Sequence, residues 1–376
     1  MSCIKINIFG DFVTPYSLKN LNVSEDLSSL LKSSDLNVVN YEGALIKDSH
    51  PIEKTGPILN QHVDSVNWLI SHDFGLFSLA NNHTMDHGVM SLLHTIECLN
   101  NKTVGAGDWE GAYRPFIYTA SNKKIAFLSF THLEFGVLSD EWDHSHKYGT
   151  AWINSAKVNT LITNLKSDSD IIIALPHAGI EYEEQPLPEW RNRYRELIDL
   201  GCDAVIASHP HIIQGYEIYR EKPICYSLGN FFFPKPIEKP QYWYYSFCAQ
   251  LVIDEHKKIS LNVVPLQFSD SKLKIVRGNG NYVETYLSRV NKTLNNENAY
   301  LEYINRMCLD KYDNYIEALG TKELIPLKMT TRFVKRIIRH LLGRKDGSIA
   351  SLTNTIRCES HRFCLIRGLK LKYKLQ

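Results

Sequence analysis

The chain has 376 residues, a formal net charge of +1 and 44% hydrophobic residues. That length suits one large domain, or a domain with an extension, and the near-neutral balance by itself singles out no charged partner. The charge is unevenly spread: residues 327–376 carry thirteen Lys/Arg against only Asp346 and Glu359, which leaves the first 326 residues at about −10.

Eight scattered cysteines form no C-x-x-C pair, a pattern of reduced thiols, not of a disulfide framework or a zinc ribbon. No apolar run reaches the roughly eighteen residues that a membrane-spanning helix needs. The start of the chain shows no signal-peptide core. The expectation is a cytoplasmic protein.

Residues 4–9 read as a strand that closes on Gly10-Asp11, and Ser24 as the cap of a helix over 25–32. A buried strand over 36–41 ends in Glu42-Gly43. Helical spacing over 62–72, a short apolar run at 75–80 and a helix over 89–100 follow. Residues 117–120 and 125–130 form a hairpin, and 158–165 a helix. Residues 170–175 are apolar almost throughout, as expected of a strand covered on both faces. A helix over 189–200, a strand over 204–207, a hairpin over 216–220 and 224–228 and a last antiparallel pair at 247–253 and 259–264 complete the pattern. Alternating strands and helices followed by hairpins predict an α/β fold: a four-layer sandwich of two mixed β-sheets flanked by helices. After about residue 270 the character changes. Residues 279–298 are polar, 299–319 helical, and 329–342 a basic amphipathic helix, so the chain divides into a domain over 1–275 and a basic helical C-terminal extension over 276–376.

Each apolar strand ends in residues able to hold a metal ion: Asp11, then Asn40-Tyr41-Glu42, Asn81-Asn82-His83, His177, and His209-Pro210-His211. Strand carboxyl ends form the binding crevice of α/β sheets. Carboxylate, amide and imidazole ligands together suit Mn²⁺, Fe²⁺, Zn²⁺ or Ni²⁺, and two such ions about 3.5–4 Å apart would activate water and neutralise a phosphate or carboxylate. Alternation along an extended chain puts the imidazoles of His209 and His211 on one side. Asp86 either orients His83 or opens the next helix near its positive end. Glu181 and Tyr182 follow His177 closely enough to touch a substrate. Asn230, after Gly229, reads as a turn residue with a substrate contact as the alternative.

The segments 80–88 (ANNHTMDHG), 201–211 (GCDAVIASHPH) and 226–231 (YSLGNF) resemble the signature blocks of the CapA (poly-γ-glutamate capsule biosynthesis) family, which is related to the calcineurin-like metallophosphoesterases. The likeness covers roughly residues 4–270. It implies a metallophosphoesterase-like fold with one or two divalent ions. By that resemblance Asp11 is the first acidic ligand, Glu42 the bridging carboxylate, Asn82 the amide ligand, His177 the isolated histidine and His209 and His211 the paired ones. His83 contacts substrate or acts as general acid. One departure stands out: Asp11-Phe12-Val13 replaces the usual Asp-x-His, which leaves one ion or two as alternatives.

The implied function is a metal-dependent hydrolase or transferase acting on an anionic small-molecule or polymer substrate in capsule or cell-surface polymer biosynthesis. The rivals are a non-catalytic polymer-binding or export-coupling subunit and a protein whose ion only stabilises the fold. Residues 329–376 are the expected contact for a capsule synthase or an anionic membrane surface, with peripheral placement at the inner membrane face. No nucleic-acid motif is present.

Overall fold

Three strands, Ile4–Phe12, Leu36–Tyr41 and Phe74–Ser78, run parallel at the heart of a nine-stranded mixed sheet. Antiparallel strands Tyr245–Ile253 and Ile259–Ser269 extend it on one side, and Asn230–Phe232 pairs with the end of the first strand. A second, six-stranded sheet is centred on Ile171–His177 and Ala204–Ile206, with the hairpins Phe116–Ala120/Lys123–Thr131 and Tyr216–Tyr219/Lys222–Cys225 at its edges. This computed structural model describes residues 3–139, 147–276, 278, 280–319 and 348–375.

Side-chain alternation builds the layers. Ile4, Ile6 and Ile8 of the first sheet meet Ile125, Phe127, Ile171 and Ile173 of the second in the inter-sheet core. The opposite face of the first sheet, with Phe9, Val39 and Phe77, packs on Leu27, Leu69 and Leu92 of three helices. The opposite face of the second, with Ala126, Leu128 and Ile172, packs on Ile162, Trp190 and Leu197. Helices, sheet, sheet and helices therefore make four layers. Strands buried on both faces need apolar residues at every position, which is why 170–175 lacks alternation. Each fully buried Leu, Ile or Phe contributes about 1.5–3 kcal/mol.

The C-terminal part differs from its sequence reading in detail. Polar-looking 279–298 contains the helix Tyr282–Leu294, whose stripe of Val283, Tyr286, Leu287 and Val290 joins the inter-sheet core. The helix Glu297–Ala318 brings Tyr300, Ile304 and Met307 into the core beneath the second sheet, where Cys364 of the helix Glu359–Tyr373 joins them. Tyr312 and Ile316 pack instead on Leu365 in a small cluster between the two helices. The basic helix expected at 329–342 lies outside the described residues. Among the described residues no helix is long and apolar enough to cross a membrane.

Candidate functional site

The carboxyl ends of both sheets meet at one crevice. On the first strand the pairing shifts register between Phe9 and Asp11. An irregularity of this kind re-aims a side chain, and it turns the Asp11 carboxylate inward. The shift is built on Gly10, where a Cβ would lie 1.8 Å from the carbonyl oxygen of Gly229. The Asp11 N–H donates to that same oxygen at 3.2 Å. Asp11 Oδ1 accepts from Asn40 Nδ2 at 2.8 Å, and Oδ2 lies 3.1 Å from His211 Nδ1.

Glu42 follows the second strand. Gln61 fixes its backbone by donating from Nε2 to the carbonyls of Phe12 and Glu42 at 2.7 and 2.8 Å. The Glu42 carboxylate is fully buried and neither oxygen has a hydrogen-bond partner. Its Oε1 lies 3.8 Å from both His83 Nε2 and His211 Nε2. Ligand atoms of Asp11, Glu42 and His211 all fall within 4.8 Å of one another. Beside them Asn82 Oδ1 and His209 Nδ1 each stand 3.1 Å from His177 Nε2. The first sheet thus supplies Asp11, Glu42 and Asn82, and the second His177, His209 and His211.

His209 and His211 do not reach the crevice from an extended chain. Their φ angles are +106° and +59°, so the backbone bends sharply on both sides of Pro210, at a cost of about 1–3 kcal/mol for each such residue. The bend, not strand alternation, aims the two rings. Asn230 corrects a second expectation. It sits behind His211, fully buried, with Oδ1 3.0 Å from His211 Nδ1 and Nδ2 donating to the carbonyls of His211 and Trp243. Its amide is spent on holding the ring. Glu181 and the half-exposed Tyr182 stand at the rim, with the Tyr182 ring 6.3 Å from that of His211.

His83 Nδ1 is 2.6 Å from Asp86 Oδ2, which leaves Nε2 facing Glu42. Asp86 precedes the helix Val89–Cys98, and its contacts are those of an orienter: Oδ2 also accepts from the Leu59 N–H, and Oδ1 from Lys54 Nζ at 2.6 Å. Lys54 was not legible as a site residue. Its ammonium is buried, 3% exposed, and also donates to the Asn82 carbonyl at 2.9 Å. It comes from an irregular segment with no strand-end context, so no spacing rule points to it. Asn40, named above with its strand end, links Asp11 to His177 Nδ1 at 3.2 Å, while Lys235, stacked 3.7 Å over the Phe233 ring, was missed for a similar reason.

Burial governs the electrostatics. It pushes Glu42 up to about 8; His211 offsets part of that rise and Asp11 adds to it. For His211 burial opposes the charge, but Glu42 and Asp11 outweigh it and hold the imidazolium up to about 9. Burial keeps His177 and His209 well below the usual range, helped by neighbouring imidazoles. His83 is lowered by burial and by Lys54, against the pull of Asp86. Lys54→Met is therefore expected to raise the His83 pKa, read by NMR titration of its ring protons. It should also destabilise the protein by about 3–5 kcal/mol, because Asp86 loses its buried counter-ion. An unchanged His83 titration would rule this coupling out.

Buried carboxylate oxygens without donors, imidazole nitrogens and an amide oxygen, all converging, form a donor set that fits a borderline divalent cation.

Comparison with known proteins agrees with the motifs. The family model described as bacterial capsule synthesis protein PGA_cap matches residues 11–235. The capsule biosynthesis protein CapA of Bacillus anthracis is 26% identical over 68% of this chain and 63% of its own length. The PGA biosynthesis protein CapA of Bacillus subtilis is 27% identical over 56% of this chain and 57% of its own. This chain therefore spans less than two thirds of those relatives. Among solved structures, a hypothetical protein from Thermus thermophilus aligns with a TM-score of 0.47 at 12% identity, over 71% of this chain and 100% of that one. A phosphatase from Mycoplasma pneumoniae gives 0.43 at 13%, over 71% and 94%. With a family model covering more than half of its residues, all of the candidate ligands among them, the chain belongs to the bacterial capsule synthesis protein PGA_cap family.

Proposed function

We propose that this chain is a metal-dependent hydrolase or transferase acting on an anionic substrate during synthesis of a capsule or another cell-surface polymer. The observation that carries the proposal is the Glu42 carboxylate, fully buried with both oxygens unpartnered between two groups of ligand-type atoms. Such a group is costly unless a cation satisfies it. Asp11, Glu42 and His211 would hold one ion, and Asn82, His177 and His209 a second beside Glu42. A divalent cation there supplies Lewis acidity towards an ester or amide and makes water more acidic. His83, oriented through Nδ1 by Asp86, exchanges a proton with the leaving group at Nε2, and Asp86 stabilises the imidazolium while it exists. Lys235, whose charge is felt at Glu42, offers a cation to an anionic substrate.

A second reading, a polymer-binding subunit without turnover, draws on Val13. This residue stands where the resemblance expects a histidine and is packed in the apolar core, 1% exposed, so the Asp11 group has one imidazole fewer.

Purified protein should be analysed for metal content and assayed with Mn²⁺ against a phosphoester panel and poly-γ-glutamate. The expected result is at least two ions per chain and cleavage that His209→Ala reduces by about tenfold or more. Cleavage unaffected by His209→Ala would refute the enzymatic reading. Polymer binding by the wild type with no turnover would favour the second.

A further inference from the structure

We propose that His132 Nε2, a carboxylate oxygen of Glu134 and Cys358 Sγ form a separate cation site, suited to zinc, that fastens the C-terminal helices to the second sheet.

The three donors come from two distant stretches of sequence, yet their ligand atoms all lie within 4.8 Å of one another and all three residues are buried. His132 lies just beyond the strand Lys123–Thr131. Its Nδ1 is 3.0 Å from Ser360 Oγ, which itself accepts from Trp190 Nε1 at 2.8 Å. That contact fixes the ring and directs Nε2 into the cluster. Nε2 has no hydrogen-bond partner there, and Glu134 Oε1 is 3.7 Å away, beyond hydrogen-bonding reach. An unpartnered ring nitrogen on a fully buried histidine costs about 1–3 kcal/mol, and a coordinated cation would remove that cost.

The surroundings position the third donor with equal care. Cys358 caps the helix Glu359–Tyr373. Next to it, Glu359 accepts from the Leu133 N–H at 2.9 Å, from Trp152 Nε1 at 3.1 Å and from Asn154 Nδ2 at 2.5 Å. These bonds hold the helix start against the very segment that carries His132 and Glu134. A ligating imidazole held through its other nitrogen, together with a fixed backbone, is the support a metal site requires.

The donor set decides the class of ion. One thiol, one imidazole and one carboxylate suit zinc or a similar borderline metal, whereas magnesium and calcium prefer oxygen alone. Three protein donors leave a fourth position for a further ligand. The strand-end group around Glu42 contains no cysteine, so sulfur separates the two sites chemically, although the rings of His132 and His209 stand only 4.6 Å apart.

Cobalt(II) provides the test. The full-length protein, stripped of metal, is titrated with Co²⁺ and followed by absorbance. A thiolate-to-cobalt charge-transfer band, displaced by one equivalent of Zn²⁺, is the expected result. Cys358→Ser and His132→Ala should each abolish the band and lower zinc content by one ion per chain, while Cys202→Ser, remote from the cluster, should leave it intact. Loss of the band in Cys358→Ser, with folding confirmed by circular dichroism, supports the site. Absence of the band in the wild type, a measurement that needs no variant, overturns it, as does a band that survives Cys358→Ser.

Discussion

Glu42→Gln is expected to raise the melting temperature of the metal-free protein, with a gain that widens as pH rises. Burial holds the Glu42 carboxyl at about 8, against 4.5 for the ordinary side chain. The folded protein therefore retains a proton that the unfolded chain has lost. A group raised in this way contributes fully below its unfolded value, and the contribution drains away as pH climbs through its folded value. Wild-type protein should lose stability on this account between about pH 4.5 and pH 8, by about 5 kcal/mol at 1.36 kcal/mol per unit. His211, held up to about 9, moves in the same direction over a higher window. Glutamine carries no charge to desolvate, so the variant should match wild type near pH 5 and exceed it by several degrees near pH 9. Saturating Mn²⁺ should reverse the order, because the cation stabilises only the protein that binds it. Scanning calorimetry over pH, with and without metal, measures both effects. A variant less stable than metal-free wild type at pH 9 would show that the buried carboxylate is satisfied by something other than a cation.

Gly10→Ala should cost more than about 4 kcal/mol, a loss reserved for changes with a specific steric or electrostatic cause. The added methyl carbon would lie 1.8 Å from the Gly229 oxygen and 3.0 Å from its carbonyl carbon, both backbone atoms. No rotamer relieves that overlap. Either the first strand or the segment leading into the strand Asn230–Phe232 must move, and the Asp11 N–H bond to Gly229 moves with it. The denaturation midpoint in urea checks the stability. Metal titration of whatever folded fraction remains checks the consequence for Asp11, and the variant is expected to bind more weakly. A midpoint within about 1 kcal/mol of wild type would mean that the close approach is less tight than described.

Much of the site could be read from the sequence because strand termini do two things at once. An apolar run buries itself in a sheet, and the first polar residue after it emerges at the crevice. Asp11, Glu42, Asn82, His177, His209 and His211 all stand at such a strand end or within a few residues past it, and the structure brings all six to one place. Side chains that arrive by other routes left no signal. Lys54 reaches His83 and Asp86 from a loop with no regular spacing. Cys358 and Glu359 approach the segment of His132 from the start of the helix Glu359–Tyr373, in a stretch where the sequence reading placed no individual helix. The helix Tyr282–Leu294 was read as a polar stretch because its five buried residues alternate with polar ones in a narrow stripe. The left-handed backbone at His209 and His211 had no marker either, since neither residue is glycine.

Division of the ligand-type residues between two sheets has a mechanical consequence. The aperture of the crevice is the gap between the leaves of the sandwich, set by the thickness of the Ile, Val and Phe layer that separates them. That layer works as a spacer gauge. Thinning it by a methylene, as in Ile173→Val, should shift preference among cations by ionic radius without touching a single coordinating atom.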